Sequence, residues 1–256
     1  MKINPLLAMM TLGLGCAAVS AQSTYDQQFV SYPTYTGSDL ELKVDAAGTP
    51  WRLRSPKAEA AQVLLYADGA NGTPLDTLPM AFQPESGTWT AALPTRLYGR
   101  FYTFRIKDKG RWLQETPGVW PKAVGVNGNR AAIIDLAATN PEGWDDDKGP
   151  RTKSITDAVI YEMHHRDFSV HPSSGIANKG KFLAMTEPGT HTPQGAPTGI
   201  DHLKDLGVTH IHILPSYDYN SVDEADLPAN TYNWGYDPLN YNVPEGSYST
   251  NPSDPA

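Results

Sequence analysis

The sequence predicts a two-part chain, an all-β sandwich over 41–138 followed by the opening strands of a parallel α/β unit over 155–256. Three observations carry this. Short apolar or alternating runs recur between Glu41 and Leu136 with turn residues between them. A stretch rich in Pro, Gly and acidic residues follows at 139–154. Beyond it the pattern becomes strand, helix, strand. A length of 256 residues, 39% hydrophobic and 19% charged, suits two modest globular domains.

Met1 to Ala21 reads as a signal peptide: Lys2 supplies the positive start, Leu6 to Val19 is mostly apolar, and Val19-Ser20-Ala21 has the small-x-small shape of a cleavage site. The expectation is export to the periplasm or medium. The single cysteine, Cys16, lies in this leader, so the processed chain would carry no disulfide. Lipidation at Cys16 is the alternative; Gly13, where lipoprotein leaders carry a larger aliphatic, favours export over anchoring. The apolar stretch is shorter than the roughly 20 residues of a membrane span. Residues 22–40 are polar, rich in Tyr, Thr and Ser, and read as a lead-in.

The sandwich strands are expected around Trp51–Arg54, Gln62–Tyr66, Thr88–Leu93, Phe101–Ile106 and Ala131–Leu136, with Asp68-Gly69 and Asp108-Lys109-Gly110 among the turns. Trp51, Trp89, Trp112 and Trp120 suit either a core or a sugar-stacking surface. No binding role is assigned to them. The net charge of -8, with no basic cluster, offers no footprint for nucleic acid or an anionic membrane.

In the second part, Ala158–His164 and Val208–Pro215 read as buried strands, with a helix between them over Thr198–Leu206, capped by Thr198 and stopped by Gly207. One such unit cannot bury both faces of its strands, because a parallel sheet needs further strands and covering helices. Exposed apolar strand faces are therefore expected.

Several residue patterns suggest chemistry. The histidines cluster between His164 and His212, and His210 and His212 share one side of a strand, yet no third ligand completes a recognised spacing. No metal ligand is assigned. The run Asp145–Asp147 lacks the alternating spacing of a calcium loop and reads as a solvated linker. Glu162 and Asp167 flank the end of the first strand and could form an acid and base pair, but Glu162 is better placed as the partner of Arg166 or a histidine. Tyr232 to Tyr248 is too aromatic for a linker. Rings there could stack on sugar faces while amides and carboxylates hydrogen-bond hydroxyls.

Tyr232 to Pro238, YNWGYDP, resembles the signature of type I pullulanases within glycoside hydrolase family 13. Ala158–Ser169 (AVIYEMHHRDFS), Gly207–Pro215 (GVTHIHILP) and Lys122–Arg130 (KAVGVNGNR) agree with it. The resemblance implies an immunoglobulin-like, carbohydrate-binding-module-like sandwich, then the truncated start of a (β/α)₈ barrel that hydrolyses α-1,6 branch points in pullulan, starch and glycogen, with retention of configuration. It also implies that Tyr236 is the platform under the sugar beside the scissile bond and that Asp237 orients that sugar. Asn233 and Trp234 would shape the same substrate-binding loop, by packing as readily as by contact. The family's catalytic Asp, Glu and Asp come from later strands, so no catalytic residue is assigned and the 256-residue chain is expected to be inactive alone. No cofactor is implied; calcium stays possible and is not readable from these residues. The alternatives are an α-glucan-binding module without catalysis, or another debranching enzyme such as isoamylase.

Overall fold

The structure, a computed structural model, describes residues 30–256. The leader 1–21, with Cys16, and the first part of the lead-in lie outside the described residues. Two antiparallel sheets build the sandwich. One contains β1 (Glu41–Leu42), β2 (Thr49–Arg54), β5 (Ala81–Gln83) and β6 (Thr88–Leu93), in the order β1-β2-β6-β5. The other contains β3 (Ala60–Tyr66), β4 (Asp76–Pro79), β7 (Phe101–Asp108) and β8 (Arg111–Trp112), in the order β4-β3-β7-β8, with β9 (Ala131–Ala132) also pairing with β7.

The period-2 pattern decides what faces inward. On β2, Thr49, Trp51 and Leu53 are buried while Arg54 is exposed. Trp51, Val63, Phe104 and Ile133 are almost wholly removed from water. Tyr102 sits between Trp51 and Phe104 with centroid distances of 6.0 and 5.4 Å, both edge-on, the arrangement aromatic quadrupoles favour. Trp89 is also buried, its indole N–H donating to the Ser55 carbonyl at 2.9 Å. Trp112 and Trp120 lie on the surface. The strand expected over Ala131–Leu136 is only two residues long, because the Asp135 carboxylate accepts from Ala137 N–H at 3.1 Å and starts a 3₁₀ turn over Leu136–Thr139. The described part of the lead-in is held to β2 through Arg52–Asp39 at 3.0 Å and Arg54 to the Pro33 carbonyl at 3.1 Å.

In the second part, β10 (Ile160–Met163) and β11 (His210–Ile213) pair in parallel, with helix α1 (Gly199–Asp205) between them in sequence. Two expectations need correction. Thr198 does not cap α1 with its side chain; its hydroxyl donates instead to the Ser174 carbonyl. The two strands are mostly not buried: Met163 is, but Ile160 is 66% and Ile213 39% exposed, as the expected exposed apolar faces require, since neither strand has a second neighbouring strand among the described residues. Gly207, at φ 73°, does end the helix in the left-handed region. The aromatic segment is also not one loop, because Pro238–Pro244 forms β13, paired antiparallel with β12 (Tyr217–Tyr219) across register irregularities. No described helix is long and apolar enough to cross a membrane.

A turn of the sandwich meets this hairpin. Asn127 and Gly128 take consecutive positive φ angles of 62° and 69°. That projects the Asn127 side chain, whose Oδ1 accepts from Glu224 N–H at 2.8 Å and whose Nδ2 donates to Asp223 at 2.9 Å. Asn127 N–H donates to Glu224 Oε2 at 2.7 Å, and Asn240 Nδ2 donates to the Gly128 carbonyl at 3.0 Å.

Two predictions follow from the sandwich. Trp51→Ala should cost about 3–5 kcal/mol in denaturant unfolding. Glu41 is buried; Oε1 accepts from Val119 N–H at 3.2 Å while Oε2 has no partner, and burial, opposed by the Val119 bond, pushes its pKa up to about 7. The folded state then holds the proton more tightly than the unfolded chain, so Glu41 lowers stability as pH rises from about 4.5 to 7. Glu41→Gln should flatten that decline and raise stability at pH 7.5 by on the order of 2 kcal/mol, read from melts across the pH range.

Candidate functional site

The YNWGYDP segment lies between β12 and β13, close to the carboxyl ends of β10 and β11. Two backbone facts press it there. Gly235 has φ 92°, and a Cβ on it would lie 2.1 Å from the Pro215 carbonyl oxygen, just past β11, so only glycine permits this approach. His164, just past β10, has Nε2 2.8 Å from the Asn233 carbonyl oxygen. A carbonyl only accepts, which assigns the proton to Nε2 and leaves Nδ1 to accept from Asp167 N–H at 3.4 Å.

Asn233 braces the loop from inside. Its Nδ2 donates to Asp237 Oδ1 at 2.6 Å and Ser221 Oγ at 2.8 Å, and its Oδ1 accepts from Gly235 N–H at 2.7 Å. Burial alone would raise the Asp237 pKa, but hydrogen bonds from Ser221 and Asn233 outweigh it and hold the carboxyl below its usual range. Tyr232 packs on His164 at 5.2 Å and meets Trp234 edge-on at 5.3 Å, with the Arg166 guanidinium 5.7 Å from its ring centroid. Trp234 is 61% and Tyr236 70% exposed. The loop thus offers two open aromatic faces beside an ionised, oriented carboxylate. Asn233 is turned inward and is a brace.

Glu162 and Asp167 are each engaged with a different partner. Glu162 Oε2 pairs with His212 Nδ1 at 3.0 Å, directly across the parallel register, and Asp167 pairs with Arg166 at 2.8 Å. His210 Nδ1 is 2.8 Å from the Thr209 hydroxyl. The sequence reading did not single out Asp218, Glu224 and Glu245, three buried carboxylates with one oxygen each lying within 4.8 Å of the others. Burial raises all three pKa values, Asp218 to about 6 and Glu245 to about 7. Their spacing in sequence follows no motif, and only the β12–β13 fold gathers them. A prediction follows for the loop. Gly235→Ala should destabilise it by about 1–3 kcal/mol and speed amide exchange over 232–237, with exchange over 49–66 unchanged.

Residues 39–123 match the family Carbohydrate-binding module 48 (Isoamylase N-terminal domain). The chain is 36% identical to a pullulanase of Bacillus subtilis over 242 residues, covering 94% of this chain and 32% of that protein. It also resembles crystal structures of pullulanases. That from Paenibacillus barengoltzii, complexed with maltohexaose and alpha-cyclodextrin, has 50% identity and a TM-score of 0.87, covering 93% of this chain and 37% of that one. That from Bacillus acidopullulyticus has 40% identity and a TM-score of 0.82, covering 88% and 27%. The chain spans about a third of the length of the Bacillus subtilis relative. The match to the carbohydrate-binding module and this agreement along nearly its whole length make the chain similar to about a third of a pullulanase.

Proposed function

We propose that this chain supplies the glucan-binding sandwich and part of the substrate-binding wall of a debranching glycoside hydrolase. That enzyme cleaves α-1,6 linkages in pullulan and related α-glucans with retention of configuration. The observation that carries the reading is the braced loop, which presents Trp234 and Tyr236 to solvent beside Asp237. A pyranose offers an apolar ring face for stacking and a rim of hydroxyls for a carboxylate, and the loop has both kinds of group. The Paenibacillus barengoltzii pullulanases with bound maltotriose or maltohexaose support the substrate class.

In this reading β10, α1 and β11 are the first βαβ unit of a (β/α)₈ barrel, and the exposed faces of the two strands are those that further strands and helices cover. Sites in such barrels are built from loops at the carboxyl ends of the strands, which is where His164 and Pro215 hold the YNWGYDP segment. In this proposal the sandwich takes 41–138, the linker 139–154 and the barrel portion 155–256, and residues 1–21 are proposed to direct export.

Retaining hydrolysis needs a nucleophile and an acid/base with carboxyls about 5–5.5 Å apart. Glu162 and Asp167 are engaged with His212 and Arg166, so no residue of this chain is assigned to catalysis. The role proposed for Tyr236 and Asp237 is to bind and orient the sugar beside the scissile bond. A second reading, α-glucan binding without catalysis, draws on the match to the carbohydrate-binding module.

The test is a maltohexaose titration of the purified chain alongside a reducing-sugar assay on pullulan. Tyr236→Ala should weaken binding by roughly tenfold, the effect of losing one stacked ring, and the chain should release no sugar. Unchanged affinity would remove the loop from the binding wall. Sustained turnover would instead show that the catalytic carboxylates lie within this chain.

A further inference from the structure

The sequence contains two Asn-Gly steps, Asn71-Gly72 and Asn127-Gly128, and the fold places their reacting atoms in opposite situations. We propose that Asn71 is a site of spontaneous covalent modification, deamidation through a succinimide, and that the contacts of Asn127 with Asp223 and Glu224 shield Asn127 from the same reaction. An Asn followed by glycine is the reactive pairing because no side chain hinders the approach of the following amide. The glycine nitrogen attacks Asn Cγ. The N–Cγ bond forms, the Cγ–Nδ2 bond breaks, and ammonia leaves with the amide proton. Water then opens either carbonyl of the ring, giving aspartate or isoaspartate, so the net exchange is one water taken up and one ammonia released. Such an intramolecular attack is fast only where nitrogen and carbon are free to meet.

At Asn71 they are free. Residues 67–72 form a largely exposed bend between β3 and β4. Its backbone is held: Asp68 Oδ1 accepts from the Ala70 and Asn71 N–H groups at 2.8 and 2.6 Å, and Arg130 donates to the Asp68, Asn71 and Gly72 carbonyls at 2.8, 2.5 and 3.0 Å. None of the hydrogen bonds among the described residues involves the Asn71 side-chain amide or the Gly72 N–H. A Cβ on Gly72 would meet nothing within 4 Å, so the ring and the attacking water have room.

At Asn127 every reacting group is engaged. Oδ1 accepts from Glu224 N–H at 2.8 Å, Nδ2 donates to Asp223 at 2.9 Å, and the Gly128 N–H donates to the Gly125 carbonyl at 2.9 Å. Turning the side chain onto its own backbone breaks the first two bonds, and freeing the nucleophile breaks the third. Space is closed as well, since a Cβ on Gly128 would lie 2.3 Å from Asp218 Oδ2. An acid at this position would lose the Nδ2 donor and face the Asp223 carboxylate as a like charge. Reaction there waits on local opening. At Asn71 the product adds a negative charge and, as isoaspartate, an extra main-chain carbon to the bend that Arg130 clamps while lying 3.6 Å from the Tyr66 ring centroid. The modification therefore alters the sandwich surface and spares its contact with the hairpin.

The experiment incubates the full chain in mildly alkaline buffer and follows both sites by peptide mapping with mass spectrometry, isoaspartate being identified by enzymatic methylation of its α-carboxylate. Asn71 should convert at least roughly tenfold faster than Asn127, the suppression expected where two or more hydrogen bonds must open first. In denaturant the two sites should react at similar rates. Asn71→Ser should remove the early ammonia release. Asp223→Ala, which deletes the acceptor of Asn127 Nδ2, should speed conversion of Asn127 several-fold and leave Asn71 unchanged as an internal reference. Should that variant fail to fold, the unmodified chain decides, by comparing both sites in the folded and the denatured state. Equal rates at the two sites in the folded chain, faster conversion of Asn127, or an inert Asn71 in a folded chain whose denatured form converts would each overturn the proposal.

Discussion

The arrangement depends most on the clasp between Asn127 and the segment Asp223-Glu224. One side chain and one backbone amide satisfy a backbone N–H and two carboxylates of a part of the chain nearly a hundred residues away. Each bond is modest, contributing about 0.5–1.5 kcal/mol net, but leaving any buried member unpaired costs more than its presence contributes. The clasp exists because Asn127 and Gly128 both hold positive φ, and asparagine and glycine are the residues that tolerate this most readily. The sandwich and the hairpin are joined by what two adjacent side chains permit the backbone to do.

From that seam the site is positioned by short steps. Asn240, on β13, bonds both the Gly128 carbonyl and Asp218 on β12. The hairpin is thereby set against the sandwich turn. The loop between its strands is closed on itself by Asn233 and held at the ends of β10 and β11 by His164 and Gly235. Trp234 and Tyr236 can stay exposed because other residues anchor the loop. In the proposed reading, such preorganisation would reduce the ordering cost that a flexible aromatic loop would incur on meeting a sugar.

Much of this was legible in the sequence, for identifiable reasons. Alternation with large apolar residues marked β2, β3, β6 and β7, since a half-buried strand imposes a period of two. The helix and its glycine stop were readable, and the YNWGYDP motif led to the loop. Thr198 was misread because a threonine before a helix has two possible uses, and Ser174 offered a tertiary one. The Ala131–Leu136 strand was overextended because Asp135 caps a 3₁₀ turn that competes with the ladder. Among the tryptophans, nothing local separates Trp51 and Trp89 from Trp112 and Trp120; only the pairing of sheets does. The buried carboxylates were invisible for the same reason, and the acidic run at Asp145–Asp147, the conspicuous one in sequence, is exposed.

The central claim is that the turn at Asn127-Gly128 holds the hairpin and its loop in place. Hydrogen–deuterium exchange of Gly128→Ala tests it most directly, because the added Cβ meets Asp218 Oδ2 at 2.3 Å and the backbone there is left-handed. The account predicts faster exchange across 217–248, including the YNWGYDP loop, with the sandwich strands 49–66 and 101–108 as protected as before. Unchanged protection across 217–248 in a folded variant would contradict it.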